Sequence, residues 1–321
     1  MKENNRLGKD VDLPYLARET KNFSGAEIEG LVKSATSFAL YNAVDIAAGQ
    51  VGISKEKEKD IRIDMAAFMH AMSEVKPSFG VDEDELTPFI GELYDYGDNF
   101  HRVLEKGRGF VEQVRNTQRQ RIVPILLSGP VGSGKTTIAA KLAKDSGFPF
   151  VRMIRPSQFL GMTELGKTSR ITQIFEDAYK SPISCIVIDS LENLIEYIPV
   201  GPRFSNSTLQ ALIAFCSQPP PHPTRKLLVF ATTNKPDMVR ELGFEELFQQ
   251  VTVPALQESE EVKAVLDLLA VEVDGGEQAK EMIALSCPMP MGIKTLLNKI
   301  DFYTHGNKAS PISDDIWKVT S

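Results

Sequence analysis

The stretch Gly129-Pro130-Val131-Gly132-Ser133-Gly134-Lys135-Thr136 sets glycines beside an amine and a hydroxyl in the spacing GxxxxGK[ST]. Those residue types suit one chemistry. Glycines let backbone N–H groups close around phosphate oxygens, and the helix that follows points the positive end of its dipole at the same anion. Lys135 can then reach the β- and γ-phosphates and the Thr136 hydroxyl can ligate Mg²⁺, with Thr137 beside them in the nucleotide-binding set. The flanks are in the required order: an apolar run over 123–127 precedes the loop, and Thr137-Ile138-Ala139-Ala140-Lys141-Leu142-Ala143 follows it. Strand, loop and helix together predict a nucleoside triphosphate site.

A second part of that site is Cys185-Ile186-Val187-Ile188-Asp189, an apolar strand ending in a carboxylate. Asp189 is the acid expected to hold the magnesium hydration shell, through water, beside Thr136. The next position turns the argument. A hydrolysing site of this kind needs a carboxylate to orient the attacking water, and residue 190 is Ser190, whose hydroxyl is a poor substitute. Glu192, at the start of a turn or helix, is not expected to face the nucleotide, so no catalytic residue is assigned. Asn234, after the strand 227–231 in Thr232-Thr233-Asn234, either meets the γ-phosphate or its water, or caps the next helix.

These side chains need a scaffold. The chain has 321 residues, 42% of them hydrophobic, enough for two domains with a substantial core. A formal charge of −7, with no long basic run, argues against a general nucleic-acid binder. No apolar run is long enough to span a bilayer, and the polar start lacks a signal-peptide core, so an intracellular protein without direct membrane insertion is expected. Cys185, Cys216 and Cys287 lie far apart in apolar segments and read as buried free thiols rather than a disulfide or zinc framework.

Taken in order, residues 13–44 have a helical pattern, with Ser24-Gly25-Ala26-Glu27 at capping-box spacing before Ile28, Leu31, Val32, Ala35, Phe38 and Ala39. A charged break at 54–60 leads to a shorter amphipathic stretch with Met65, Phe68, Met69 and Met72, read as core-facing and ended by Lys76-Pro77. An acidic link at 81–85 marks the domain boundary. After it, aromatic and apolar residues over 89–104 precede a helix expected at 109–118. Beyond the phosphate loop, strands at 150–154, 183–188 and 227–231, and a weaker one at 250–253, alternate with helical patterns, which implies a parallel sheet covered on both faces. From 258 onward only helices are expected, at 258–271, 277–285 and 291–305. Pro219-Pro220-Pro221-His222-Pro223 reads as a stiff surface loop rather than a polyproline ligand.

With these residues in place, the chain resembles the N-ethylmaleimide-sensitive fusion (NSF) family of AAA+ ATPases. The stretches that carry it are Glu19 through Val32 (ETKNFSGAEIEGLV), Ile198 through Asn206 (IPVGPRFSN) and Met291-Gly292-Ile293-Lys294. The resemblance implies an α/β fold, an AAA+ P-loop parallel sheet over 81–255 with a C-terminal helical lid over 256–308 and a polar tail over 309–321. Residues 1–80 would be a small all-α module like the lid that ends a first ATPase domain, so the chain is expected to be a fragment that begins inside a domain. It implies ATP and Mg²⁺ as cofactors and, as function, a second ATPase domain that binds ATP tightly, hydrolyses it weakly and holds a homohexamer together. In the family the intact machine, working in the cytoplasm and recruited to membranes peripherally, uses SNAP adaptors to take apart SNARE complexes in vesicle traffic. An active remodelling motor is the alternative.

The same resemblance assigns further positions. Lys294 would reach the phosphates in place of a lid arginine, with Gly292 before it, or else be a surface lysine. Tyr96 and Gly97, with Ile90 and Leu93, would form the adenine pocket. Leu242-Gly243-Phe244-Glu245-Glu246 stands where active relatives carry arginine fingers, and Arg240 is a weak substitute. Phe159-Leu160-Gly161 resembles a pore loop, or is buried packing.

Overall fold

Unbroken apolar runs of β-branched and aromatic residues have both faces to bury, and a parallel sheet between helical layers is the arrangement that does so. In the computed structural model, the described residues are 6–20, 23–42, 62–75, 86–90, 93–117, 119–201, 203–269 and 276–301. The link at 81–85, the charged break at 54–60, the Lys76-Pro77 stop and the tail at 309–321 lie outside them.

Contacts divide the chain into two compact units, Met1–Gly80 and Val81–Ser321. The first is helical: α1 (Leu13–Glu19), α2 (Gly25–Asn42) and α3 (Met65–Glu74). The capping box before α2 forms, with Ser24 N–H donating to Glu27 at 2.6 Å and Glu27 N–H to the Ser24 hydroxyl at 3.3 Å. Asp64 caps α3 in a simpler way, accepting from Ala67 N–H at 2.9 Å. Leu16, Leu31, Ala35, Ala67, Phe68 and Ala71 form this unit's core. Met65 and Met72 pack against it, whereas Met69 is exposed.

The second unit opens with a 3₁₀ turn, Thr87–Phe89, and α4, Asp98–Asn116. The helix expected at 109–118 therefore begins eleven residues earlier. Within it, a Cβ on Gly107 would sit 2.3 Å from a Leu142 methyl, so that glycine lets two helices approach closely. Five strands follow: β1 (Ile122–Ser128), β2 (Phe150–Ile154), β3 (Ile183–Ile188), β4 (Lys226–Thr233) and β5 (Gln249–Thr252). They pair in parallel in the order β2-β3-β4-β1-β5. Between them run α5 (Lys135–Asp145), α6 (Glu164–Ala178), the single turn α7 (Leu191–Leu194), α8 (Asn206–Ser217) and α9 (Pro236–Glu241). The proline-rich loop before β4 is fixed by Arg121, which donates to the carbonyls of Pro220 and His222 at 2.8 and 3.0 Å.

The lid consists of α10 (Ser259–Leu268), α11 (Gly276–Ser286) and α12 (Ile293–Asp301). Its Val262, Val265, Leu296 and Ile300 join the same buried cluster as Ile125, Leu127 and Phe230 of the sheet. Cys185, Cys216 and Cys287 are free and buried, and burial pushes the thiols of Cys216 and Cys287 up to about 12. Among the described residues no helix is long and apolar enough to cross a membrane.

Candidate functional site

Parallel pairing brings the carboxyl ends of all five strands to one edge, where ligands of such sheets bind. Ser128 pairs with Thr233 across β1 and β4, and Ile188 with Ala231 across β3 and β4. The phosphate loop, Asp189 and Asn234 therefore emerge side by side although the sequence sets the first and last of them about a hundred residues apart.

The loop itself turns through Gly132 and Gly134 at φ 77° and 85°, a left-handed conformation that glycine adopts without cost. Lys135 is 6% exposed, and its amine donates to the carbonyls of Gly129 and Pro130 at 2.9 and 2.6 Å and to Ser133 at 3.3 Å. Burial lowers its pKa to about 8, while the negative charges of Glu192 and Asp189 pull it back upward. Thr136 donates its hydroxyl proton to Asp189 Oδ1 at 2.6 Å, and Thr232 donates to the same atom at 2.9 Å. Thr232 in turn accepts from Ser190 N–H at 2.9 Å. Ser190 has φ 53°, a turn that starts α7 directly after β3.

These groups face a cavity of about 660 Å³, within the size range of small-ligand sites. One wall is phosphate-loop backbone with Lys135, Thr136 and Thr137; Asp189, Ser190, Thr232 and Asn234 form the floor. The other wall is apolar, made by Phe89, Leu93, Tyr94, Tyr96 and Phe100 with Ile293 and Leu297 of the lid. Tyr96 is 4% exposed, and burial, followed by the charge of Glu261, raises its phenol to about 12, so the ring is neutral.

Several expected positions fall elsewhere. Gly97 and Ile90 are not on the cavity wall: Gly97 is the left-handed residue before α4, at φ 116°, and Ile90 packs against the core. Asn234 does not cap α9, whose cap position is Lys235 and carries no side-chain hydrogen bond. Its amide lines the cavity and donates to Glu192 instead, at 3.0 Å. Lys294 lines the cavity, and its N–H donates to Gly132 carbonyl at 3.0 Å. Gly292 lies behind the loop, where a Cβ would come within 2.7 Å of the Val131 carbonyl. Phe159 is buried while Leu160 is 82% exposed, so the aromatic of Phe159-Leu160-Gly161 packs inward and its neighbour does not. Arg240 is paired with Glu245 at 3.2 Å and Asp237 at 3.4 Å. Tyr96 and Leu93 do line the cavity as expected, whereas sequence reasoning missed Thr232 and the other rings of the aromatic wall, Phe89, Tyr94 and Phe100; the doubled threonine closing an otherwise apolar strand was the available signal for Thr232.

The family model described as "ATPase family associated with various cellular activities (AAA)" matches residues 125–255, and the AAA+ lid domain model matches residues 10–49. Vesicular-fusion protein SEC18 of Saccharomyces cerevisiae is 39% identical over 95% of this chain and 41% of its own length. The chain belongs to the vesicle-fusing family of AAA ATPases. Other members are similar to the same extent: the vesicle-fusing ATPase of Dictyostelium discoideum is 44% identical over 83% of this chain, and that of Arabidopsis thaliana 40% over 88%. The chain spans between 36% and 41% of the length of these three relatives. Membership in an ATPase family implies nucleotide binding, with ATP as the ligand.

Proposed function

We propose that this chain is the second ATPase domain of an NSF-like machine, binding Mg-ATP tightly, turning it over weakly and using it to hold a homohexamer. One observation carries the weak-hydrolysis part. The carboxylate nearest to Ser190 along α7, Glu192, spends both oxygens on Thr233 and Asn234 and lines no part of the cavity, which leaves a serine where a water-orienting acid would stand. Tight binding is supported by the buried Lys135 amine, a charged donor set among phosphate-loop carbonyls where a phosphate would meet it.

The Thr136 hydroxyl and the Asp189 carboxylate are hard oxygen donors within 2.6 Å of each other, the set that Mg²⁺ takes. These two residues would hold the ion, Asp189 through water, and the ion would neutralise phosphate charge. Lys135, Asn234 and Lys294 would meet the phosphates, and the ring wall of Tyr96 the adenine.

In this reading ATP acts as an assembly ligand, because a nucleotide bound better by the assembled state favours assembly, and slow turnover prolongs the effect. The intact protein would serve SNARE disassembly through SNAP adaptors in the cytoplasm, recruited to membranes peripherally. Molar mass by light scattering on a sizing column tests it: Mg-ATP is expected to give about six times the monomer mass, as a closed ring requires, and Mg-ADP or no nucleotide a smaller one. A monomer in all conditions, with ATP binding confirmed by titration, would remove the assembly role.

A further inference from the structure

The polar cluster beneath Asn234 is not used by the nucleotide contacts above. Ser190, in its left-handed turn, reverses the chain so that α7 packs against β4, and Glu192 in its first turn is carried to the end of that strand. There the carboxylate is 4% exposed. Thr233 donates its hydroxyl proton to Glu192 Oε2 at 2.7 Å, and Asn234 donates both its backbone N–H, at 3.2 Å, and its side-chain amide, at 3.0 Å, to Oε1. Lys235 N–H completes the chain by donating to the Thr233 hydroxyl at 3.0 Å. A buried carboxylate is tolerated only where donors satisfy it, and here several converge on it.

That arrangement decides which way an amide faces. An ionised carboxylate can only accept, so Asn234 must turn its NH₂ toward Glu192; the amide oxygen and the second N–H then remain for the cavity. We propose that Glu192 is a positioning residue, which sets the orientation of the Asn234 amide and through it the preference of the site for a triphosphate over a diphosphate. The inference rests on the reading of the cavity as a nucleotide site. Glu192 touches no reacting atom in this arrangement.

Binding titrations of the full chain with Mg-ATP and Mg-ADP test it. Glu192→Leu keeps the bulk and removes the acceptors, and it is expected to weaken ATP about tenfold, the worth of one hydrogen bond to a charged group, with ADP unchanged. Asn234→Ala is expected to do the same, and the double variant to be no weaker than either single one, since both break one linkage. Glu192→Gln still offers an amide oxygen to Asn234, so it is expected to keep the preference for ATP over ADP that the leucine variant loses. If the leucine variant does not fold, Glu192→Asp, which keeps the charge but withdraws it by one methylene, is expected to show the same selective loss. Equal losses for ATP and ADP, no loss at all, additive effects, or a glutamine variant as weak as the leucine one would each overturn the inference alone. A wild-type chain that binds neither nucleotide would overturn it together with the nucleotide reading beneath it.

Discussion

Ser190 lines the cavity floor from a left-handed backbone, its N–H held by Thr232, so a longer acid at this position would start from the same place. Ser190→Glu is expected to raise ATP turnover several-fold and no further, because arginine fingers supply about 10³–10⁵ in rate and the segment 242–246 holds none. Phosphate release measures it; turnover at ordinary motor rates would mean that fingers come from elsewhere. Gly292 carries a second residue-scale prediction. A methyl there would press on backbone atoms of Val131 and Gly132 rather than on a flexible side chain, so Gly292→Ala must push the lid off the phosphate loop. A loss of about 1–3 kcal/mol in stability is expected, typical of overpacking, together with weaker ATP binding in a titration. The phosphate loop, Asp189 and Asn234 were legible as single residues because each is a polar exception at the end of an apolar run. The partnership of Glu192 with Asn234 was not, since 42 positions separate them in sequence and only strand pairing makes them neighbours.

At the scale of elements, the sheet bears the site. Phe230 lies at the centre of β4, fully buried and joined in register to Ile125 of β1 and Val187 of β3. Phe230→Ala leaves a cavity between layers and is expected to cost about 3–5 kcal/mol, read as a lower urea midpoint. ATP affinity should fall with it, because β4 positions both Thr232 and Asn234. The strands β2 and β3 have the bounds that their apolar runs mark in sequence, since a fully buried parallel strand is apolar over its whole length. Helix α4 begins eleven residues before the expected start at 109, and what favours Gly107 within it, the side chain of Leu142, is on another helix.

At the scale of the molecule, the second unit brings sheet and lid to one cavity, so a ligand there touches both. In the proposed ring the segment 242–246 would face a neighbour with glutamates in place of arginines, which suits holding a nucleotide better than cleaving it. Lys135→Ala is expected to weaken ATP by at least about tenfold, as loss of a charge-assisted contact does. The ATP-dependent gain in mass should disappear with it; an unchanged affinity would refute the phosphate-loop assignment, and an unchanged mass would refute ATP as the assembly ligand. Glycine spacing, a lysine beside a threonine and an apolar strand ending in Asp189 were enough in sequence to define the class of fold and its ligand, because those chemistries depend on neighbours along the chain. The tertiary structure alone decided that Phe89, Tyr94 and Phe100 join Tyr96 on the cavity wall, that Asn234 turns to Glu192 instead of capping α9, and that Gly292 lies against the phosphate loop. Each of those depends on contacts between elements far apart in sequence, and those distances exist only once the sheet has formed.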